Sequence, residues 1–368
     1  MIKSIPWSSP DVHKEELSQI IDSFDADWLT MGPKVKKFEK QMAEFMNVPY
    51  ACAVSNGTIA IDIALKIIGI KHDDEVIVPA MTYFSTASAV NRVGAIPVFV
   101  DIEENSWGLN PARLEEAITE KTKAILFIDY GGNPADIDGI FEVAKTHNIP
   151  VIQDAAQSLG GIYKGSPLGS QARISTMSFH MAKILSTVEG GMIFTHDKSV
   201  ADQIRIYRNQ GESAKYKHSV LGYNARMTDI AAGIGLSQVN KLNHFLKARK
   251  SIAEKYDNYF NGNDKILLSK CTRENCSHAN FLYSIAVENR DFIVDELKKD
   301  DIDTRICYPM PLYEQELYKS GRERCRYLSA PISERITSQT IALPIFPSME
   351  DDQIDKVANC LIKALDKI

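Results

Sequence analysis

A chain of 368 residues, 24% charged and 44% hydrophobic, has room for one large domain and a smaller one, and is too apolar for a disordered segment. Its formal net charge of −6 argues against a general nucleic-acid binder, which would be basic. No apolar run approaches the length of a bilayer span, and the opening stretch Met1–Trp7 lacks the apolar core of a signal peptide; the expected address is the cytoplasm, with no membrane partner.

In chain order, residues 11–48 read as two amphipathic helices around a turn at Gly32-Pro33. From Ala51 onward, strand-like runs at 51–55, 75–79, 97–101, 123–129 and 150–154 alternate with helical segments, among them 59–68 and 136–147. That alternation predicts an α/β fold, a mostly parallel central sheet with helices on both faces. The strands are short and rich in Val and Ile, as burial on both sides requires. Two further β-like runs, 174–179 and 192–195, flank Lys183.

The pattern changes after about residue 240. An amphipathic helix over 241–260 is followed by strand-like 281–287, helical 291–299 and strand-like 304–308. In a final helix Ile354, Val357, Ala358, Leu361, Ile362 and Leu365 keep the helical period, with Ser348 and Asp351 as its expected cap. Residues 1–240 are thus predicted to form a large α/β domain with an N-terminal helical segment, and 241–368 a small C-terminal α+β domain. The six cysteines are scattered, not arranged as a disulfide framework. Cys271, Cys276 and His278 lack a second ligand pair at suitable spacing, so no metal site is expected.

The chemistry is concentrated in three stretches. Lys183 sits between two β-like runs and ahead of Glu189-Gly190-Gly191. A lysine there can be held from solvent, its pKa lowered, ready to form a Schiff base; taken alone, it reads first as a solvated surface charge, as most lysines are. Asp154 ends an apolar run, at the carboxyl edge where open α/β sheets bind ligands; the bland alternative is a helix N-cap. Ser55-Asn56-Gly57-Thr58 opens a very apolar helix whose first N–H groups suit a phosphate, or are simply capped. A lysine, a carboxylate and a phosphate cradle are what pyridoxal 5′-phosphate (PLP) requires of a protein.

Several motifs occur in order along nearly the whole chain: Leu29-Thr30-Met31-Gly32-Pro33, Val54-Ser55-Asn56-Gly57-Thr58, Gln153-Asp154-Ala155-Ala156-Gln157-Ser158, Ser178-Phe179-His180 to Lys183, Glu189-Gly190-Gly191, Gly222-Tyr223-Asn224-Ala225-Arg226-Met227 and Tyr308-Pro309-Met310-Pro311-Leu312. In them the sequence resembles the DegT/DnrJ/EryC1/StrS family of PLP-dependent sugar aminotransferases, of fold-type I. The resemblance implies that Lys183 binds the cofactor's aldehyde carbon and, once freed, moves protons during turnover. It makes Asp154 the partner of the ring nitrogen and puts Gln157 at the phenolic oxygen. Gly57, Thr58 and Ser178 correspond to phosphate ligands, and Tyr83 to the aromatic that stacks on the ring. Asn224 matches a phosphate ligand supplied by the neighbouring subunit, which implies a homodimer with shared active sites. Glu189 and Tyr308 fall on the substrate side.

Read without the resemblance, Tyr83 is a core residue and Asn224 a turn residue. His180 either shapes the pocket or is a buried, satisfied histidine. Two positions depart from the family pattern: Val188 stands where many relatives have Gly, and Cys307 where they commonly carry His.

The implied reaction carries an amino group from glutamate, through pyridoxamine 5′-phosphate, to a keto-sugar, most often a nucleotide-linked deoxysugar of surface-polysaccharide or antibiotic synthesis. The alternatives are a PLP-dependent sugar dehydratase, whose family members replace the lysine by histidine, and a non-catalytic regulatory protein that keeps the fold. A nicotinamide oxidoreductase is disfavoured by the lack of a G-x-G-x-x-G after the first strand.

Overall fold

The structure, a computed structural model, describes residues 4–26 and 28–368; the first three residues of the Met1–Trp7 stretch lie outside them. Helices α1 (Lys14–Asp25) and α2 (Pro33–Phe45) flank the expected turn. Pro33 takes the first position of α2, where a missing N–H leaves no bond unmade. The N–H groups of Gly32 and Lys34 donate to the Asp229 carboxylate at 2.6 and 3.1 Å.

The chain then alternates through β1 (Tyr50–Val54), α3 (Gly57–Ile67), β2 (Glu75–Pro79), α4 (Phe84–Arg92), β3 (Ile96–Val100), β4 (Thr122–Ile128), α5 (Ile137–Thr146) and β5 (Val151–Asp154). A small hairpin, β6 (Ile162–Tyr163) and β7 (Ser166–Pro167), precedes β8 (Ile174–Ser178), β9 (Gly191–Thr195) and α6 (Lys198–Tyr207). A second hairpin, β10 (Glu212–Ala214) and β11 (Lys217–His218), leads to α7 (Asp229–Phe260). The remainder is β12 (Leu267–Leu268), β13 (Tyr283–Ala286), α8 (Arg290–Lys299), α9 (Glu316–Lys319), β14 (Arg326–Tyr327), α10 (Pro331–Gln339), β15 (Thr340–Leu343) and α11 (Asp351–Leu365).

The large sheet has the order β1-β9-β8-β5-β4-β2-β3-β14. Only β9 runs against its neighbours. Side chains alternate across each strand, and both sets are buried. Cys52, Val54, Val76, Val78, Ala124 and Leu126 pack with α3, α4 and α6. On the other face Ile77, Ile125 and Phe127 pack with α5, while Ala51, Ala53, Met177 and Phe194 pack with α2. Full burial of both faces explains the uninterrupted apolar runs.

Four expectations are corrected. The helix expected from 241 begins at Asp229, capped by Thr228 Oγ1 accepting from Ala231 N at 3.1 Å. Gly233 and Gly235 weaken the helical signal there, but α1 and α2 pack so closely that a Cβ at Gly235 would stand 2.8 Å from Phe38. The expected boundary at 240/241 therefore falls inside one continuous helix, whose Leu242 and Phe245 join the core under the large sheet and whose Ile252, Tyr256 and Phe260 join that of the small one. Residues 304–308 form no strand. Arg305 makes an isolated bridge to Ala342, and Pro309 and Pro311 have no N–H with which to extend it.

The third correction concerns residues 326–327, which lie beyond residue 240 yet pair with β3 as the eighth strand of the large sheet. Arg326 is held there by Glu75 at 2.9 Å. A separate three-stranded sheet, β12-β13-β15, packs with α8 and α11. Fourth, Glu350 rather than Ser348 or Asp351 caps α11, in a reciprocal box with Gln353. No helix among the described residues is long and apolar enough to cross a membrane.

Candidate active site

The parallel strands end in a cleft of about 620 Å³, closed on its far side by Phe281, Leu282, Cys307 and Tyr308. Gly57, Thr58, Tyr83, Asp154, Gln157, Ser178, Lys183, Glu189 and Tyr308 all line it. Asn224 does not; it is exposed, with its backbone bridged to Asn209.

Asp154, the last residue of β5, is buried. Thr86 Oγ1 donates to its Oδ2 at 3.2 Å and the Ala156 N–H to its Oδ1 at 3.1 Å. No helix follows β5 directly, so Asp154 is not a helix N-cap. Burial raises its carboxyl above the usual range, against the pull of the Ala156 N–H and the Lys183 charge. Lys183 is half-buried opposite it, its Nζ 4.5 Å from the centroid of the Phe281 ring. Burial brings the amine down to about 8, while Asp154 and Cys307 pull it the other way.

Gln157 has its amide orientation fixed by the chain. Its Oε1 accepts from the Gly131 N–H at 2.6 Å, so Nε2 faces the cleft and donates to Tyr308 Oη at 3.2 Å. Gly131 has φ +64°, a conformation that favours glycine. At the start of α3, Asn56 Oδ1 accepts from the Ile59 N–H at 2.9 Å. The N–H groups of Gly57 and Thr58 have no protein acceptor among the described residues. A Cβ at Gly57 would stand 2.8 Å from Ser178 Cβ, so only glycine brings this helix start so near Ser178.

The cleft's mouth is looser. Tyr83 is 58% exposed, its ring centroid 6.0 Å from that of Tyr308; it is no core residue. His180 is exposed, which rules out the buried, satisfied histidine. Its Nδ1 accepts from the Ala182 N–H at 3.2 Å, and Nε2 lies 3.8 Å from Glu189 Oε1.

Trp7 and Phe281 also line the cleft and were not foreseen as site residues. Trp7 arrives because Ile5 pairs with Ile302, a long-range contact with no local sequence signature. In the sequence Phe281 reads only as the edge of a strand.

The cradle fits PLP. Two N–H groups without acceptors and a close-packed Ser178 suit a phosphate, a buried carboxylate suits a protonated ring nitrogen, and a desolvated amine suits an aldehyde. When bound, the cofactor supplies an electron sink for the substrate carbon.

Fold and site together define a fold-type I, PLP-dependent aminotransferase. The DegT/DnrJ/EryC1/StrS aminotransferase family model matches residues 10–362, and the chain belongs to that family. It is 36% identical over 363 residues to a GDP-perosamine synthase of Escherichia coli O157:H7, covering 96% of each chain. Among solved structures it is similar to DesV of S. venezuelae, at 29% identity and TM-score 0.95, over 100% of both chains. It is also similar to the PMP-form of Spr1654 from Streptococcus pneumoniae, at 30% identity and TM-score 0.92, over 99% of this chain and 98% of that one.

Proposed function

We propose that this aminotransferase moves the amino group of glutamate to the carbonyl carbon of a nucleotide-linked keto-deoxysugar, in the cytoplasm, as a step toward an amino sugar of a polysaccharide. The observation that carries the reading is the meeting, in one cleft, of a lysine whose amine is lowered to about 8, a buried carboxylate, and a helix start with free N–H groups. The relatives named GDP-perosamine synthase support a nucleotide-linked sugar and make GDP-sugars the first to test.

Lys183 would hold the cofactor at its aldehyde carbon and, when free, would carry a proton at the substrate carbon; an amine near working pH does this well. Asp154 would hold the proton on the ring nitrogen by a charge-assisted bond. Gln157 would offer its fixed Nε2–H to the phenolic oxygen, and Gly57, Thr58 and Ser178 would hold the phosphate. Tyr83 would cover the ring, while Glu189 and Tyr308 would face the sugar. A lysine rather than a histidine at 183 favours amination over dehydration.

The second copy of the chain completes the site through Asn224. Exposed apolar residues support pairing: Leu17, Ile21 and Phe24 on α1, and Tyr216 and Leu221 around the β10–β11 hairpin, form the kind of surface that marks an interface. Incubation with glutamate and a panel of nucleotide-linked keto-sugars, GDP-sugars first, should release 2-oxoglutarate with one or a few of them. Amination of free keto-sugars alone would overturn the nucleotide assignment. Mixed dimers of Lys183→Ala and Asn224→Asp chains should regain activity that neither parent has; an active monomer in light scattering would overturn the shared site.

A further inference from the structure

Asp129, the residue after β4, is fully buried and lies outside the cleft lining. Its Oδ2 accepts from Gln153 Nε2 at 2.9 Å and from Ser158 Oγ at 2.7 Å, and its Oδ1 from the Ala135 N–H at 3.2 Å. Its backbone carbonyl accepts from the Gly132 N–H at 3.0 Å. Gln153 is the residue immediately before Asp154, and Ser158 the one immediately after Gln157. One carboxylate therefore clamps both ends of the segment that carries the two cofactor-facing side chains. The turn over Tyr130–Gly132 that starts at Asp129 also presents the Gly131 N–H that orients the Gln157 amide.

A buried carboxylate with no cation beside it among the described residues is an expensive way to hold a loop. Neutral side chains could tie Gln153 to Ser158 without desolvating a charge. Burial lifts the Asp129 carboxyl to about 6, against the bonds from Ser158, Gln153 and Ala135.

We propose that Asp129 is a positioning residue for the cofactor site, setting the placement of Asp154 and the aim of Gln157 through Gln153 and Ser158. The proposal rests on the roles given above to Asp154 and Gln157. Its effects should reach the cofactor before the substrate: a loosened floor weakens PLP binding and alters its spectrum, while the mouth that meets the sugar is untouched.

Variants at Asp129, Ser158 and Asp154 and the wild type, each stripped of cofactor and titrated with PLP, test it. Asp129→Ala should weaken PLP binding about tenfold, shift the bound cofactor's absorption, and lower kcat with little change in KM for glutamate. Asp129→Asn should restore most of this: Gln153 Oε1 has no hydrogen-bond partner among the described residues, so the amide can turn and offer its oxygen to the new Nδ2. Ser158→Ala, a milder cut of the same clamp, should weaken PLP binding a few-fold, and less than additively with Asp129→Ala. If Asp129→Ala only lowers the melting temperature of the cofactor-free protein, leaving PLP affinity, spectrum and kcat as in wild type, Asp129 is structural and the proposal falls. Should that variant not fold, unchanged affinity and spectrum in Ser158→Ala overturn it instead. Asp154→Ala run in parallel separates the two readings. No spectral change there sinks the Asp154 assignment itself, whereas a change there with none at Asp129 sinks only the positioning role.

Discussion

On the floor of the cleft, Asp154 and Gln157 each have their orientation fixed by bonds from Thr86, Ala156 and Gly131. At its mouth, Tyr83, His180 and Glu189 are exposed, and a single 3.8 Å contact joins the last two. The floor is thus set before any ligand arrives, as electrostatic catalysis requires. The mouth has few internal restraints, and a neighbouring chain is proposed to add to it. One cofactor and many acceptor sugars can be served by such a division: the invariant chemistry is bound rigidly, and selectivity is left to side chains that can change without disturbing it.

The comparison breaks most visibly at Lys183. In its proposed role Lys183 is both the covalent anchor and the proton carrier, so on its substitution by alanine turnover should fall by at least ~10³-fold. Borohydride reduction of the wild-type holoenzyme followed by peptide mapping should place the pyridoxyl group on Lys183; an adduct only on another lysine would reject the assignment. Next in size is Asp154→Ala. That protein should keep some cofactor through the α3 cradle yet lose on the order of 10²–10³-fold in the half-reaction with glutamate, read by stopped-flow spectra. An aspartate that served packing alone would leave that half-reaction intact.

Much of the floor was legible in the sequence because its determinants are local. Asp154 ends an apolar run, Gly57 opens a helix, and Lys183 lies between two strands; each feature is short-range and set by strand and helix periodicity. Fold class followed from the same alternation. What the sequence did not disclose depends on contacts between distant residues. Trp7 enters the cleft through the Ile5–Ile302 pairing, Arg326 returns to the large sheet through Glu75, and Asp129 reaches Gln153 and Ser158 across neighbouring strands. The early start of α7 was hidden for a related reason: glycines that weaken an isolated helix are what allow α1 and α2 to approach it.

A smaller effect sharpens the electrostatic side of the floor. With the Lys183 amine near 8, about a tenth of it is unprotonated at pH 7 and about nine-tenths at pH 9. Only the neutral amine attacks an aldehyde, so the rate of PLP uptake by the cofactor-free protein should rise roughly tenfold over that interval and then level off. A lysine at its ordinary value would continue to gain rate well above pH 10. Stopped-flow uptake in amine-free buffers distinguishes the two, and a rate still climbing steeply at pH 10 would show that burial does not depress this amine.

The smallest expected effect lies at the mouth, in Glu189→Gln. The change keeps the side chain's size and hydrogen-bonding reach but removes its charge and the pairing with His180. Exposed ion pairs contribute little, so neither fold nor cofactor uptake should respond, and the bound cofactor's spectrum should match wild type. If Glu189 meets the incoming sugar, KM for the sugar should rise by no more than about fivefold, with kcat nearly constant, because a contact made equally in ground and transition states changes only binding. A loss confined to kcat would move Glu189 from the substrate-facing mouth to the chemistry on the floor. That result would also remove the distinction between the two regions, since an exposed residue with no fixed partner would then be supporting the reaction as directly as the clamped ones. Steady-state kinetics with the sugar varied at saturating glutamate would decide between them.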